Sequence, residues 1–104
     1  MVVEVASENE IALSGRLDVS AAAEVREVLH EALDLGMGDL VVDLSGVEVV
    51  DATGLGVLLG ADRRAKLVGR RIVLRDASPR VMRILRVTRL YRVLTLDAQV
   101  DQAV

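Results

Sequence analysis

The densest group of residues that could do chemistry is a turn placed just before a helical pattern. It consists of Asp51, Ala52, Thr53, Gly54, Leu55 and Gly56. A helix N-terminus carries unpaired backbone N–H groups and the positive end of the helix dipole, so a phosphate added to the Thr53 hydroxyl would meet hydrogen-bond donors. Glycines at 54 and 56 would also let another protein approach the backbone, although each weakens a helix by roughly 1 kcal/mol relative to alanine. The alternative is that the glycines serve close packing of this helix on a sheet, and the residues alone leave both interpretations open.

Three carboxylates also fall near predicted strand ends, where they could bind a divalent cation or act as acid and base. They are Asp18, Asp43 and Asp51. We favour a structural interpretation, in which each carboxylate caps or neutralises its own turn. His30 is the only histidine, and we expect it on the surface of a helix, where it is poorly placed to activate a hydroxyl. The glycines after residue 53 do not match a dinucleotide or phosphate-binding pattern, so we predict no catalytic residue, no metal site and no cofactor.

Composition removes several other classes of protein. The 104 residues fit one domain, which we place at 1–104. Without cysteine there is no disulfide, thiolate nucleophile or sulfur-ligated metal. With Tyr91 as the only aromatic residue there is no platform for stacking nucleic-acid bases. No apolar run reaches the ~20 residues that span a bilayer, and we expect a soluble, cytoplasmic protein that does not insert into membranes.

The charge of the chain is distributed unevenly. The net charge is −3, but residues 61–92 carry 11 of the 13 basic residues. Four arginines recur in steps of three on a predicted helix, namely Arg80, Arg83, Arg86 and Arg89. Such a pattern could bind duplex DNA. We favour the interpretation that acidic and basic elements lie side by side and neutralise one another, and we predict no direct binding of nucleic acid.

The hydrophobic pattern predicts strands that alternate with helices. Strands at 2–5 and 11–13 form a hairpin, a helix at about 20–36 is capped by Ser20, and a buried strand covers 39–44. A second helix starts at Thr53 or Gly54 and ends at Gly69, followed by a strand at 72–74. A third helix starts after Ser78, and a last strand at 93–96 precedes a short tail. We therefore predict an α/β fold, with a mixed, mostly parallel β-sheet that opens with an N-terminal hairpin and has about three helices packed on it.

Three motifs occur together in an order typical of one family. They are GRLD at 15–18, LVVDLSGVEVVDATGLGVLLGADRRA at 40–65 and SPRVMRIL at 78–85. The chain resembles, over nearly its whole length, the STAS domain of bacterial anti-sigma factor antagonists. The resemblance implies a protein that works by binding and is no enzyme: it docks on an anti-sigma factor, commonly a serine kinase with an ATP-binding fold, and frees the sigma factor. It places the partner-binding residues at Asp18, Asp51, Ala52, Thr53, Gly54, Leu55 and Gly56.

The sequence departs from the family pattern at the phosphoacceptor. Members resembling this chain receive a phosphate on the serine directly after the aspartate, and here that position is Ala52. We favour loss or alteration of the switch; Thr53 is the alternative acceptor, with Ser45 and Ser20 behind it. The resemblance also admits a cytoplasmic adaptor subunit of a membrane transporter or a signalling scaffold. Because little sequence follows the last predicted strand, an apolar edge could be covered by a second copy, which keeps a homodimer open.

Overall fold

The structure is a computed structural model that describes residues 1–97, so the predicted tail lies outside the described residues. The strands are β1 (Val2–Ser7), β2 (Glu10–Leu17), β3 (Asp39–Val50), β4 (Arg71–Arg75) and β5 (Thr95–Leu96). The helices are α1 (Ala22–Leu35), α2 (Ala52–Leu67) and α3 (Pro79–Val87), with a short 3-10 helix at Leu90–Arg92. The strands form one sheet in the order β1-β2-β3-β4-β5. Among the strands within residues 1–97, only the β1–β2 pair is antiparallel, which confirms the predicted mixed sheet with its N-terminal hairpin. The three predicted helices are present as well.

The hydrophobic core lies between the sheet and the helices. Alternate side chains of the three central strands are fully buried, among them Ile11 in β2, Leu40 in β3 and Leu74 in β4. They join one cluster with Val25 and Leu29 of α1 and with buried residues of α2 and α3. The core is thus formed by every second residue of the strands on one side and by an apolar stripe of each helix on the other. Within residues 1–97, no helix is both long enough and apolar enough to cross a bilayer.

Strand β3 is longer than predicted, and its additional residues run beside the end of β2. It continues to Val50, which pairs with Leu17 at the end of β2. The register shifts twice along this pairing, and Gly46 lies so close to β2 that an added Cβ would be 2.6 Å from the Ser14 Cβ. The sequence pattern breaks at Ser45-Gly46, and that break suggested the strand ended there. In the fold it marks an irregularity within one continuous strand.

Two other boundaries also differ from the prediction. Ser20 does not cap α1: the N-cap is Ala21, which makes no side-chain cap, and the Ser20 hydroxyl donates to Asp18 instead. The last strand is only Thr95–Leu96, because the chain first forms the 3-10 turn after Arg89, whose φ of 63° is left-handed. The helix thus ends in a conformation that glycine would adopt more easily, so residue type gave no signal of it.

The basic residues around β4 differ in their surroundings from those of α3. Arg71 and Arg75 lie beside carboxylates of other strands, as predicted for side-by-side charges, whereas the partners of Arg70 are uncharged. Arg70 is buried and donates to the carbonyls of Ala32 and Gly38 at the end of α1. Arg71 pairs with Asp39, and Arg75 bridges Glu10 of β2 and Asp43 of β3. The arginines of α3 and the following turn form no such pairs with other described residues.

Candidate functional site

The candidate site lies where α2 begins, at the edge at which β2 and β3 both end. Asp51 is the N-cap: its Oδ1 accepts a hydrogen bond from the Gly54 N–H at 2.8 Å, and its backbone carbonyl accepts one from Leu55. The Asp51 N–H in turn donates to the Leu17 carbonyl at 3.3 Å. An aspartate three residues before a free N–H is a strong helix start. The helix therefore starts one to two residues earlier than predicted, and its first turn is fastened to the end of β2.

Gly54 faces inward from this turn. It is buried, and an added Cβ would lie 2.1 Å from the Leu17 carbonyl oxygen and 2.9 Å from the Leu17 Cγ. Of the two interpretations that the residues left open, the surroundings of Gly54 therefore match close packing on the sheet. Leu55 is only partly exposed and packs against the core cluster.

The outer side of the same turn is open. Ala52, Thr53 and Gly56 are exposed, and nothing lies within 4 Å of a Cβ built on Gly56. Thr53 presents its hydroxyl in the first turn of α2, where backbone N–H groups and the helix dipole favour negative charge. Residues 52, 53 and 56 are thus the exposed members of the predicted partner-binding set.

Asp18 belongs to this edge because it directly follows Leu17, which contacts the start of α2. The Ser20 hydroxyl and the Ser20 N–H both donate to the Asp18 Oδ1, at 2.7 Å and 3.1 Å. The Arg16 Nε lies 3.5 Å from the Asp18 Oδ2. The hydrogen bond from the Ser20 side chain, helped by the Ser20 N–H and by Arg16, outweighs desolvation and lowers the pKa of Asp18 from its ordinary value. Asp18 is therefore a fixed negative charge beside α2 at neutral pH. We call Asp18, Ala52, Thr53 and Gly56 the α2 surface.

The three carboxylates singled out in the sequence do not converge on a common ion. Asp51 caps α2 and Asp18 holds its own turn, while Asp43 accepts from the Ser45 N–H and from Arg75. Over residues 1–97 there is no group of three histidine or acidic side chains arranged to hold a metal ion. His30 is half-buried, contrary to the expected surface position, and its buried Nε2 has no hydrogen-bond partner in the part of the chain that the structure describes.

Sequence reasoning missed the contribution of β2 to this site. The Leu17 carbonyl accepts a hydrogen bond from the Asp51 N–H, and Leu17 covers Gly54. Leu17 is part of the GRLD motif, but nothing in that motif indicates that its residues contact the start of α2. The one available signal was the glycine at 54, since a helical glycine that costs stability often marks a close backbone approach.

Comparisons with known proteins point to one family. The family model described as "Mlab, STAS domain" matches residues 1–96. A curated relative from Bacillus subtilis (strain 168), the anti-sigma-B factor antagonist, is 32% identical over 100 residues, which cover 94% of this chain and 91% of that protein. The crystal structure of an anti-sigma factor antagonist from Mycobacterium paratuberculosis superimposes with a TM-score of 0.74 at 26% identity, covering 98% of this chain and 87% of that one. A sulfate transporter family protein from Wolinella succinogenes has the same fold, with a TM-score of 0.74 at 19% identity over 86% of this chain and 75% of that one.

Proposed function

This chain belongs to the STAS domain family, and on that premise we propose that it is an anti-sigma factor antagonist that docks through the α2 surface. The observation that carries the proposal is the open outer side of the first turn of α2, with exposed Ala52, Thr53 and Gly56 beside the ionised Asp18. Two relatives named as anti-sigma factor antagonists, one in sequence and one in structure, support the class of function. The chain would act in the cytoplasm by occupying an anti-sigma factor, and it would do no chemistry itself.

We further propose that the partner is an anti-sigma factor with a kinase-type ATP-binding fold and that the phosphorylation switch is lost or altered. Ala52 has no hydroxyl to accept a phosphate, although it is exposed at the start of α2. Thr53, the alternative acceptor, is exposed next to the Asp51 carboxylate. A phosphate there would add about −1.5 to −2 charges to the docking surface and oppose docking by repulsion and desolvation.

The docking proposal is tested by placing a large side chain on the outer side of α2. Gly56→Arg should lower the affinity for the anti-sigma factor at least tenfold in calorimetry, because the new side chain occupies space that the partner needs. It should fold normally, since a Cβ at Gly56 meets no atom within 4 Å. Leu67→Arg is the matched control: this exposed residue lies in the same helix about 16 Å away and should bind as the wild type does. Equal affinity of Gly56→Arg and Leu67→Arg would remove the docking site from this surface.

The switch is tested separately with the cognate kinase and ATP, followed by mass spectrometry. We expect no phosphate at position 52 in the wild type and phosphorylation of Ala52→Ser, because that substitution restores a hydroxyl at an exposed helix start. Phosphate on wild-type Thr53 would show that the switch has moved by one residue. If the kinase does not phosphorylate the Ala52→Ser protein, the result would contradict a kinase-type partner.

The alternative is an adaptor subunit of a transporter or a signalling scaffold. The sulfate transporter family neighbour shows that the fold is shared, but at 19% identity it indicates no more than the fold. A gene for a permease beside this one, and no kinase or sigma factor gene nearby, would favour the adaptor.

A further inference from the structure

Helix α3 and the turn that follows it carry five exposed arginines. The sequence has no acidic residue from 77 to 96, and none of the five arginines forms an ion pair with another described residue. They are Arg80, Arg83, Arg86, Arg89 and Arg92. Arg89 holds a left-handed backbone at φ 63°, a conformation that costs a non-glycine residue energy and that glycine would adopt without strain.

Exposed apolar side chains lie among these arginines. Val87, Tyr91 and Val93 are each about half exposed or more, with Val87 at 74%. Val87 shares the outer face of α3 with Arg80 and Arg83, because it lies seven and four residues after them in the helix. We call these five arginines and three apolar residues the basic surface. Apolar residues surrounded by charge favour a protein partner over a nucleic-acid backbone.

A matching acidic face is present on α1. Glu24, Glu27 and Glu31 lie on one side of the helix, again at spacings of three and seven. Glu8 of the β1–β2 turn and Glu31 line the same cleft of about 300 Å³, which is otherwise lined mainly by apolar residues of β1 and α1. None of these four glutamates forms an ion pair within residues 1–97.

The acidic face also exposes apolar side chains that a partner would cover. Val5 and Leu35 line the same cleft and are 63% and 79% exposed. We call the four glutamates with Val5 and Leu35 the acidic surface. It therefore combines unpaired charge of one sign with apolar area, as the basic surface does with charge of the other sign.

The two surfaces extend toward different edges of the sheet. The acidic surface is built on β1 and α1 at one edge. The basic surface begins at Arg80, at a cleft with residues 45–49 of β3, follows α3 along β3, and ends in the 3-10 turn, which contacts β5 at the other edge. A contact between the acidic surface of one copy and the basic surface of another leaves one surface of each copy unused, so it can repeat head to tail.

We propose that a second copy of this chain docks its acidic surface on the basic surface of the first, so that the protein self-associates head to tail in short, reversible chains. Opposite charges steer and orient the contact, and the exposed apolar residues supply the area that becomes buried. Neither surface shares a residue with the α2 surface, so self-association does not use the residues proposed for docking on the anti-sigma factor.

The test is sedimentation velocity on the full chain over a roughly hundredfold range of protein concentration, in low salt and in about 0.5 M salt, where charges are screened within a few ångströms. The wild type should grow past the dimer with concentration in low salt and return to monomer in high salt. Arg83→Glu/Arg86→Glu and Glu27→Lys/Glu31→Lys should each lower the association constant at least tenfold. Mixed together they should form a 1:1 dimer and nothing longer, because each retains the surface that the other has lost.

Matched controls separate the contact from net charge. Arg26→Glu/Arg63→Glu changes the net charge as Arg83→Glu/Arg86→Glu does, but it alters two exposed arginines outside both surfaces, and it should associate as the wild type does. A wild type that stays monomeric at every concentration in low salt would overturn the proposal and assign both surfaces to other partners. Growth that stops at the dimer, or that salt does not change, would overturn it as well.

Discussion

Gly54 and Gly56 are two residues apart in the first turn of α2, yet their surroundings are opposite. Two helical steps rotate a residue by about 200°, which turns Gly54 toward the end of β2 and Gly56 toward open space. Gly54 is buried against Leu17, whereas a Cβ on Gly56 would touch nothing. The glycine motif thus has an inner member that fixes the helix on the sheet and an outer member that leaves the surface accessible. Two glycines of one motif can therefore be required for different physical reasons, here close packing at Gly54 and an open surface at Gly56.

The largest effect should come from Gly54→Ala. A methyl group there would lie 2.1 Å from the Leu17 carbonyl oxygen, a backbone atom that cannot rotate away, so α2 must shift from the sheet. Overpacking of this kind costs typically 1–3 kcal/mol and we expect about 3 kcal/mol or more in the free energy of unfolding, measured by urea denaturation. In an unpacked helix the same change would stabilise by about 1 kcal/mol. A Gly54→Ala protein as stable as the wild type would mean that the inner and outer glycines do not differ.

The sequence predicts some of this site well and some of it not at all. The apolar periodicity and the alternation of predicted strands and helices were enough to predict α2 on a mostly parallel sheet, because both signals are read along the chain. The Asp51 cap was not used, and the helix was predicted to start one to two residues too late. The orientation of Gly54 depends on Leu17, more than 30 residues earlier in the chain, and no periodicity reports such a contact. Arg70 is a second case: it was counted as one cation in a basic stretch, but it is buried and donates to carbonyls at the end of α1. Long-range partners of this kind become visible only in the fold.

The next effect should appear in binding rather than in stability. Thr53→Glu adds a negative charge on the outer side of the turn, beside Asp51, and should lower the affinity for the anti-sigma factor about tenfold, or about 1.4 kcal/mol. In Thr53→Gln the new side chain has nearly the same shape as glutamate but no charge, and this variant should bind close to the wild-type level. Calorimetry with the two variants isolates the charge. Equal losses for both would show that the partner tolerates no bulk at position 53, and the electrostatic account would then be wrong.

The smallest expected effect is that of Gly56→Ala, which places the same methyl group as Gly54→Ala on the other side of the helix. Gly56→Ala should raise the free energy of unfolding by about 0.5–1 kcal/mol, since the methyl group meets no atom within 4 Å and alanine loses less backbone entropy than glycine in a helix. Urea denaturation of Gly54→Ala and Gly56→Ala under the same conditions should therefore give changes of opposite sign. If Gly56→Ala is stabilising but weakens anti-sigma factor binding, the glycine is retained for the partner's close approach. If it is destabilising, the outer side of the turn is less open than its surroundings indicate, and the division between a packing glycine and an access glycine fails.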